Sequence, residues 1–244
     1  MITTVRMKLK RGMVGIEAAI VLIAFVIVAA ALAFVVLNMG FFTTQKSGIV
    51  IRSGLGEAST ALEVDGSVLA YSEKGTKVNY TVIPIKVSPG RHLVDLHPER
   101  ASILYWSTEA GSYADIYIAY GYVVYEDGQY KLYVYNTTGG LEVNGNAVGT
   151  SINLTKIWSI LNNTFSDDIF AVTLWIDSNQ PYVKRDTNLE IGEKALVMIV
   201  YKKPAVQPTV YQTIKVEVKP PEGATLTVER TMPPGIPKGV IDLG

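Results

Sequence analysis

Apolar residues run unbroken from Ala18 to Leu37, about 20 positions. At 1.5 Å per residue this predicts a helix long enough to cross a hydrocarbon core of about 30 Å. Asn38-Met39-Gly40 interrupts the run, yet Phe41-Phe42-Thr43-Thr44-Gln45-Lys46 continues without proline. Farther on, Ile49, Val50, Leu55, Ala58, Ala61 and Leu62 recur with helical spacing. Asp65-Gly66 is a natural stop, so the pattern predicts one helix from Met13 to about Val64, about 75 Å long. Gly48, Gly54 and Gly56 would each cost a lone helix about 1 kcal/mol. Small residues four apart, as in Gly15/Ala19, Ala29/Ala33 and Thr44/Gly48, allow close helix approach where lipid offers no hydrophobic drive.

After Asp65 the period changes to that of strands. Val78, Tyr80 and Val82 alternate until Ile83-Pro84 shifts the parity, as at an edge or bulge. Ile116, Ile118, Tyr120, Tyr122 and Val124 alternate up to Asp127-Gly128, a two-residue hairpin signal that predicts a return strand over Tyr130–Tyr135. Ile169–Ile176 and Ala195–Tyr201 are continuous apolar runs suited to core strands. Val210, Ile214, Val216 and Val218 share one face, and Pro220-Pro221-Glu222-Gly223 turns the chain into Ala224–Glu229. One helix, Leu154–Asn162, is expected within a strand connection. The fold class is α+β: a long N-terminal hydrophobic helix, then an antiparallel β-sandwich, immunoglobulin-like or barrel-like.

What precedes the apolar run decides its fate. Lys8-Leu9-Lys10-Arg11-Gly12 meets Met13-Val14-Gly15-Ile16-Glu17 directly. A secretory signal has an apolar core of roughly 7–15 residues and is cut on its far side. A cut after Gly12 would instead leave the helix at the mature N-terminus, available for packing against copies of itself. Two other readings stay open. Ala31-Leu32-Ala33 has the small-x-small form of an ordinary signal cleavage site, and the whole segment fits a plain anchor with its basic residues in the cytoplasm.

Composition narrows the function. Formal net charge is zero, with no long charge block, so no electrostatic nucleic-acid surface is expected. Cysteine is absent, which removes disulfides, thiol catalysis and thiolate metal sites. The two histidines, His92 and His97, lie near Asp95 and Glu99 but lack a recognised metal-motif spacing, and Pro98 interrupts the strand geometry. They read as a solvated loop or strand edge. No nucleophile elbow, phosphate loop or zinc-protease motif is present, so no catalytic residue, cofactor or metal is expected and the chain reads as a non-enzyme. The tyrosines from Tyr105 to Tyr135 read as sheet packing, with a binding surface as the other reading.

Four Asn-x-Ser/Thr sequons begin at Asn79, Asn136, Asn153 and Asn162, all in the β region. They favour a glycosylated outer surface, with Asn136 best placed, in a polar turn.

The two ends of the chain resemble archaellins, the archaeal flagellins, of the crenarchaeal type. The N-terminal resemblance covers Lys10-Arg11-Gly12, the apolar helix, Asn38–Lys46 and Ala58-Ser59-Thr60-Ala61-Leu62. The C-terminal part covers Lys215–Pro233 and the closing Asp242-Leu243-Gly244. The resemblance implies a leader at 1–12 removed between Gly12 and Met13 by a prepilin-type aspartic peptidase. It implies a polymerisation helix over 13–64 and an outer β domain over 65–244. The expected partners are other copies in a helical homopolymer, the peptidase, an assembly ATPase and a membrane platform protein. The expected location is an extracellular rotating filament for swimming, with the precursor in the cytoplasmic membrane. Glu17, at the fifth mature position, is a hallmark of type IV pilins and a candidate assembly residue. An adhesive pilus subunit is therefore the alternative, ahead of an anchored or secreted β-sandwich protein.

Overall fold

The computed structural model describes residues 13–58, 61–89, 93–176 and 186–244. The chain divides between Leu55 and Gly56 into a helical unit and a β unit. The helical unit is built on α1, Met13–Ala58, 46 residues and about 69 Å long at standard rise. The helix stops at Ala58, short of the expected Val64. Leu62–Val64 is instead a strand, β1, because Leu62 is fully buried and the segment has a ready ladder partner in the β unit.

The β unit continues as β2 (Leu69–Ser72), β3 (Tyr80–Val87), β4 (Leu93–Asp95), β5 (Ser102–Ser107), β6 (Gly111–Tyr113), β7 (Tyr117–Glu126), β8 (Gln129–Asn136) and β9 (Leu141–Gly149). Then come α2 (Leu154–Thr164), β10 (Ile169–Ile176), β11 (Asn188–Glu190), β12 (Lys194–Tyr201), β13 (Thr213–Lys219), β14 (Leu226–Thr231) and β15 (Gly239–Asp242).

A nine-stranded sheet runs as an open path β15-β2-β3-β12-β10-β7-β8-β9, with β1 also on β3. A four-stranded sheet, β14-β13-β5-β6, and the pair β11-β4 complete the domain. Ladders among the described residues are antiparallel except β7–β10, which is parallel. Parallel neighbours need a crossover, and α2, lying between β9 and β10 in the chain, supplies it.

Both faces of the large sheet are covered. One face packs on the four-stranded sheet through Ile83, Ile85, Val197, Ile199 and Tyr201 against Ile103, Tyr105, Ile214 and Val216. The other face packs on α2, where Ile157 and Leu161 meet Val82, Val134, Phe170, Val172 and Met198. This double burial explains the continuous apolar runs in β10 and β12. At Asp127-Gly128 the φ values of 53° and 80° give the tight turn that the sequence signalled.

Two registers depart from simple alternation. A bulge between Tyr117 and Ala119 lets Ile116, Tyr117, Tyr120 and Tyr122 share one core, whereas Ala119 joins the other and Ile118 packs beside it. Val210 does not belong to the inner row of β13. It stands exposed before the strand, because Tyr211 adopts φ 62° and the ladder begins only at Thr213.

Candidate assembly helix and modification sites

Apolar side chains surround α1. Ile16, Ile20, Leu22, Val28, Phe34, Leu37 and Phe41 are all more than half exposed, and Phe25 reaches 76%. A helix apolar on every side is stable where something else covers it, a membrane or a packed core. The helical segment Gly15–Ile51, which contains the unbroken apolar run, is 37 residues, about 55 Å, whereas a bilayer core needs about 20 residues. Thr43 and Thr44 satisfy their hydroxyls inside the helix, donating to the carbonyls of Met39 and Gly40 at 2.7 and 2.8 Å. Lys46 lies 5.9 Å from the Phe42 ring centroid, so its charge is partly met by an aromatic face.

A Cβ placed on Gly15, Gly40, Gly48 or Gly54 would meet nothing within 4 Å. Nothing in this chain therefore requires these glycines, although each weakens the helix by about 1 kcal/mol. Glu17 is exposed one helical turn beyond Met13. Gly12, the residue before the expected cleavage, lies outside the described residues.

The sequons differ in setting. Asn136 ends β8 and organises the β8–β9 turn: its Oδ1 accepts from Thr138 N, Thr138 Oγ1 and Gly140 N at 3.1, 2.9 and 2.7 Å. Its Nδ2 donates to Glu142 Oε1 at 2.8 Å. Asn153 is the exposed N-cap of α2, its oxygen accepting from Lys156 N at 3.1 Å. Asn162 is half-buried in the last turn of α2, where Lys202 Nζ donates to its carbonyl at 3.0 Å. At Asn79 the sequon's Thr81 is fully buried, 3.2 Å from the Tyr201 hydroxyl.

The remaining candidates are structural. Tyr120 and Tyr135 stack at 5.5 Å, and Tyr122 meets Trp175 at 5.6 Å, all in the core. Tyr117 donates its hydroxyl to the Leu96 carbonyl, and burial pushes that hydroxyl's pKa far up. Asp95 accepts from His97 N and Thr187 Oγ1, each at 2.9 Å, and pairs with Arg100. His97 Nδ1 accepts from Glu99 N, so this ring caps a turn; His92 lies outside the described residues. Among the described residues no cluster of three metal-type side chains occurs.

The model of the archaeal-type flagellin family matches residues 12–230. The chain belongs to the archaeal-type flagellin family. It is 41% identical to "Probable flagellin 1" of Aeropyrum pernix over 239 residues, 98% of this chain and 100% of that one. It is 30% identical to "Probable flagellin 2" of Archaeoglobus fulgidus, covering 92% and 91% of the two chains. Among solved structures it is similar to the archaeal flagellum of Methanospirillum hungatei at 28% identity and a TM-score of 0.50, covering 93% and 98%. A flagellin is a structural filament protein, not an enzyme, and these similarities are to flagellins and a flagellum, not to a pilus.

Sequence reasoning passed over one exposed feature of the β unit, the aromatic face of the four-stranded sheet. Its signal was present in Ser102-Ile103-Leu104-Tyr105-Trp106-Ser107, where Trp106 falls on the outward parity.

Proposed function

We propose that this chain is the subunit of an extracellular archaeal flagellum filament, held together by packing of α1 against α1 of other copies. The observation that carries the reading is exposed apolar side chains that continue past a membrane-length run: beyond Ala18–Leu37, Met39, Phe41, Phe42, Ile49, Val50, Ile51 and Leu55 are all more than half exposed on the same helix. The unfilled space around Gly15, Gly40, Gly48 and Gly54 supports close helix approach. The similarity to the archaeal flagellum of Methanospirillum hungatei supports the polymer and its place outside the cell.

In this reading residues 1–12 are a leader that keeps the precursor in the cytoplasmic membrane. A prepilin-type peptidase cuts between Gly12 and Met13, with the basic Lys10-Arg11 on the cytoplasmic side. Uncut, those charges would have to enter an apolar filament core, each at a cost of several kcal/mol. Removal of the leader is thus the step that permits packing. An assembly ATPase and a membrane platform protein drive polymerisation, and rotation of the product gives swimming. Glu17 meets the freed amine of Met13 during docking, and Asn136 carries a glycan on the outer surface.

N-terminal sequencing of purified filaments tests the scheme. Met13 as first residue is the expected result. Phe34 would mean an ordinary signal peptide, Met1 a plain anchor, and either overturns it.

A further inference from the structure

Asn144-Gly145 in β9 is the one place in this chain where glycine follows asparagine. The strand pairs with β8, Tyr133 against Asn144 and Leu132 against Asn146, so Gly145 is the extra residue of a bulge. Its φ of 68° suits glycine, and a Cβ there would lie 3.0 Å from Tyr133 Oη. Tyr133 in turn donates to Glu126 Oε2 at 2.9 Å. The fold therefore requires glycine at 145, whatever stands before it.

Asn144 is exposed, on the strand that ends the path of the large sheet. Three other asparagines have their amide oxygens held by backbone N–H groups: Asn79 by Glu73, Asn136 by Thr138 and Gly140, and Asn153 by Lys156. No such bond holds Asn144 among the described residues. A free amide carbon thus stands next to a backbone nitrogen whose own residue has no side chain to hinder attack. Ring closure between Asn144 Cγ and Gly145 N needs rotation about the Asn144 Cα–C bond. In mid-sheet, ladders on both sides forbid that rotation, whereas at an edge bulge only one neighbouring strand resists it. Asp127-Gly128 has a similar glycine backbone, φ 80°, but presents a carboxylate, a poor electrophile. Lys131 Nζ donates to Asp127 Oδ2 at 2.6 Å, and that bond holds the Asp127 pKa below its ordinary 3.8.

We propose that Asn144 is a site of spontaneous covalent modification. Gly145 N bonds to Asn144 Cγ, the bond from Cγ to the side-chain nitrogen breaks, and ammonia leaves with the proton from Gly145. Water then adds to either carbonyl of the resulting succinimide and opens it to isoaspartate or aspartate. Each product adds a negative charge to β9. Isoaspartate also adds a methylene to the backbone, at the bulge, where the ladder already accommodates an extra residue. The reaction needs no enzyme, metal or second copy, so it stands apart from the polymer reading.

Peptide mass spectrometry tests this on the full-length chain in detergent, aged warm at mildly alkaline pH with its β domain still folded. Asn144 is expected to gain the mass difference between an amide and an acid several-fold faster than Asn136, Asn146 or Asn153. The modified peptide should separate into two products, one of them a substrate for an isoaspartyl methyltransferase. Conversion no faster than at Asn146, or conversion to aspartate alone, overturns the proposal. Conversion that appears only when urea unfolds the chain also overturns it, because the ladder then protects Asn144. Asn144→Gln, whose longer side chain closes a ring poorly, should keep the fold and lose the mass gain at this position; a gain that persists there counts against the succinimide.

Discussion

Gly121 of β7 faces the backbone carbonyl of Tyr133 on β8 so closely that a Cβ would lie 2.5 Å from the oxygen. The same methyl would stand 3.1 Å from Leu174 and Val134 side-chain atoms, between the large sheet's central strands. Gly121→Ala must push backbone aside and should destabilise the β domain by about 3 kcal/mol. Urea unfolding with an unchanged midpoint would refute the steric argument.

Acid should weaken the same domain through Asp65. Its carboxylate is paired with Lys194 Nζ at 2.5 Å and with Lys86 Nζ at 3.1 Å, joining the β1–β2 turn to β12 and β3. Hydrogen bonds from Lys194, then Lys86, hold the Asp65 pKa below its ordinary 3.8. A carboxyl whose folded pKa is depressed stabilises above the unfolded value and loses that contribution as pH falls through the folded one. Urea midpoints should therefore fall between pH 6 and pH 3, and by less in Asp65→Asn. An identical acid response in the variant would exclude this residue as a source.

Truncation separates folding from assembly. A chain starting at Ala61 keeps β1 and should be a folded monomer. One starting at Asp65 loses Leu62, which is 1% exposed, and should be less stable by about 1.5–3 kcal/mol. Neither should polymerise. Filaments from either, seen by electron microscopy, would remove α1 from the mechanism.

Glycosylation should occur at Asn136 and not at Asn79. Attachment takes a hydrogen from Nδ2 and leaves the three bonds to Asn136 Oδ1 intact. The hydroxyl of Thr81, in contrast, is sealed in the folded domain. Mass spectrometry of filament peptides reads both sites, and unmodified Asn136 throughout would contradict the expectation. Asn136→Ala should also cost about 1–3 kcal/mol, by stripping the turn donors of their acceptor.

Glu17→Leu should slow assembly. A carboxylate in apolar surroundings costs about 2.5–3.5 kcal/mol by insertion scales, so its retention calls for a partner such as the Met13 amine. Assembly by the variant at the wild-type rate, followed by light scattering, would leave Glu17 without that role.

Much of this architecture is legible along the chain because local signals agree with the packing. The Ile169–Ile176 run coincides with β10, and Asp127-Gly128 makes its turn. Where local spacing fits two periods, tertiary contacts decide. Ala58, Ala61 and Leu62 suit a helix, yet Leu62 pairs with Val87 across a ladder. Pairing order is not local at all: nothing in β7 or β10 announces that they lie parallel. The assembly helix was readable from length and apolarity, and the sequons from their motif. The Trp106 face was not, since one outward tryptophan becomes informative only when β13 brings Lys215 and Glu217 beside it.

Strand β15 forms one edge of the large sheet by pairing with β2, Gly239 against Ser72 and Asp242 against Leu69. Those partners are separated by nearly the whole domain, so the ladder forms only after everything between has left the ribosome. Such long-range pairing folds slowly. Until then β2 presents an unpaired edge, the kind of surface that aggregates or attracts proteases. The two ends of the β domain thus depend on each other: loss of β2 leaves β15 without its ladder, and loss of β15 leaves β2 as the edge of the sheet.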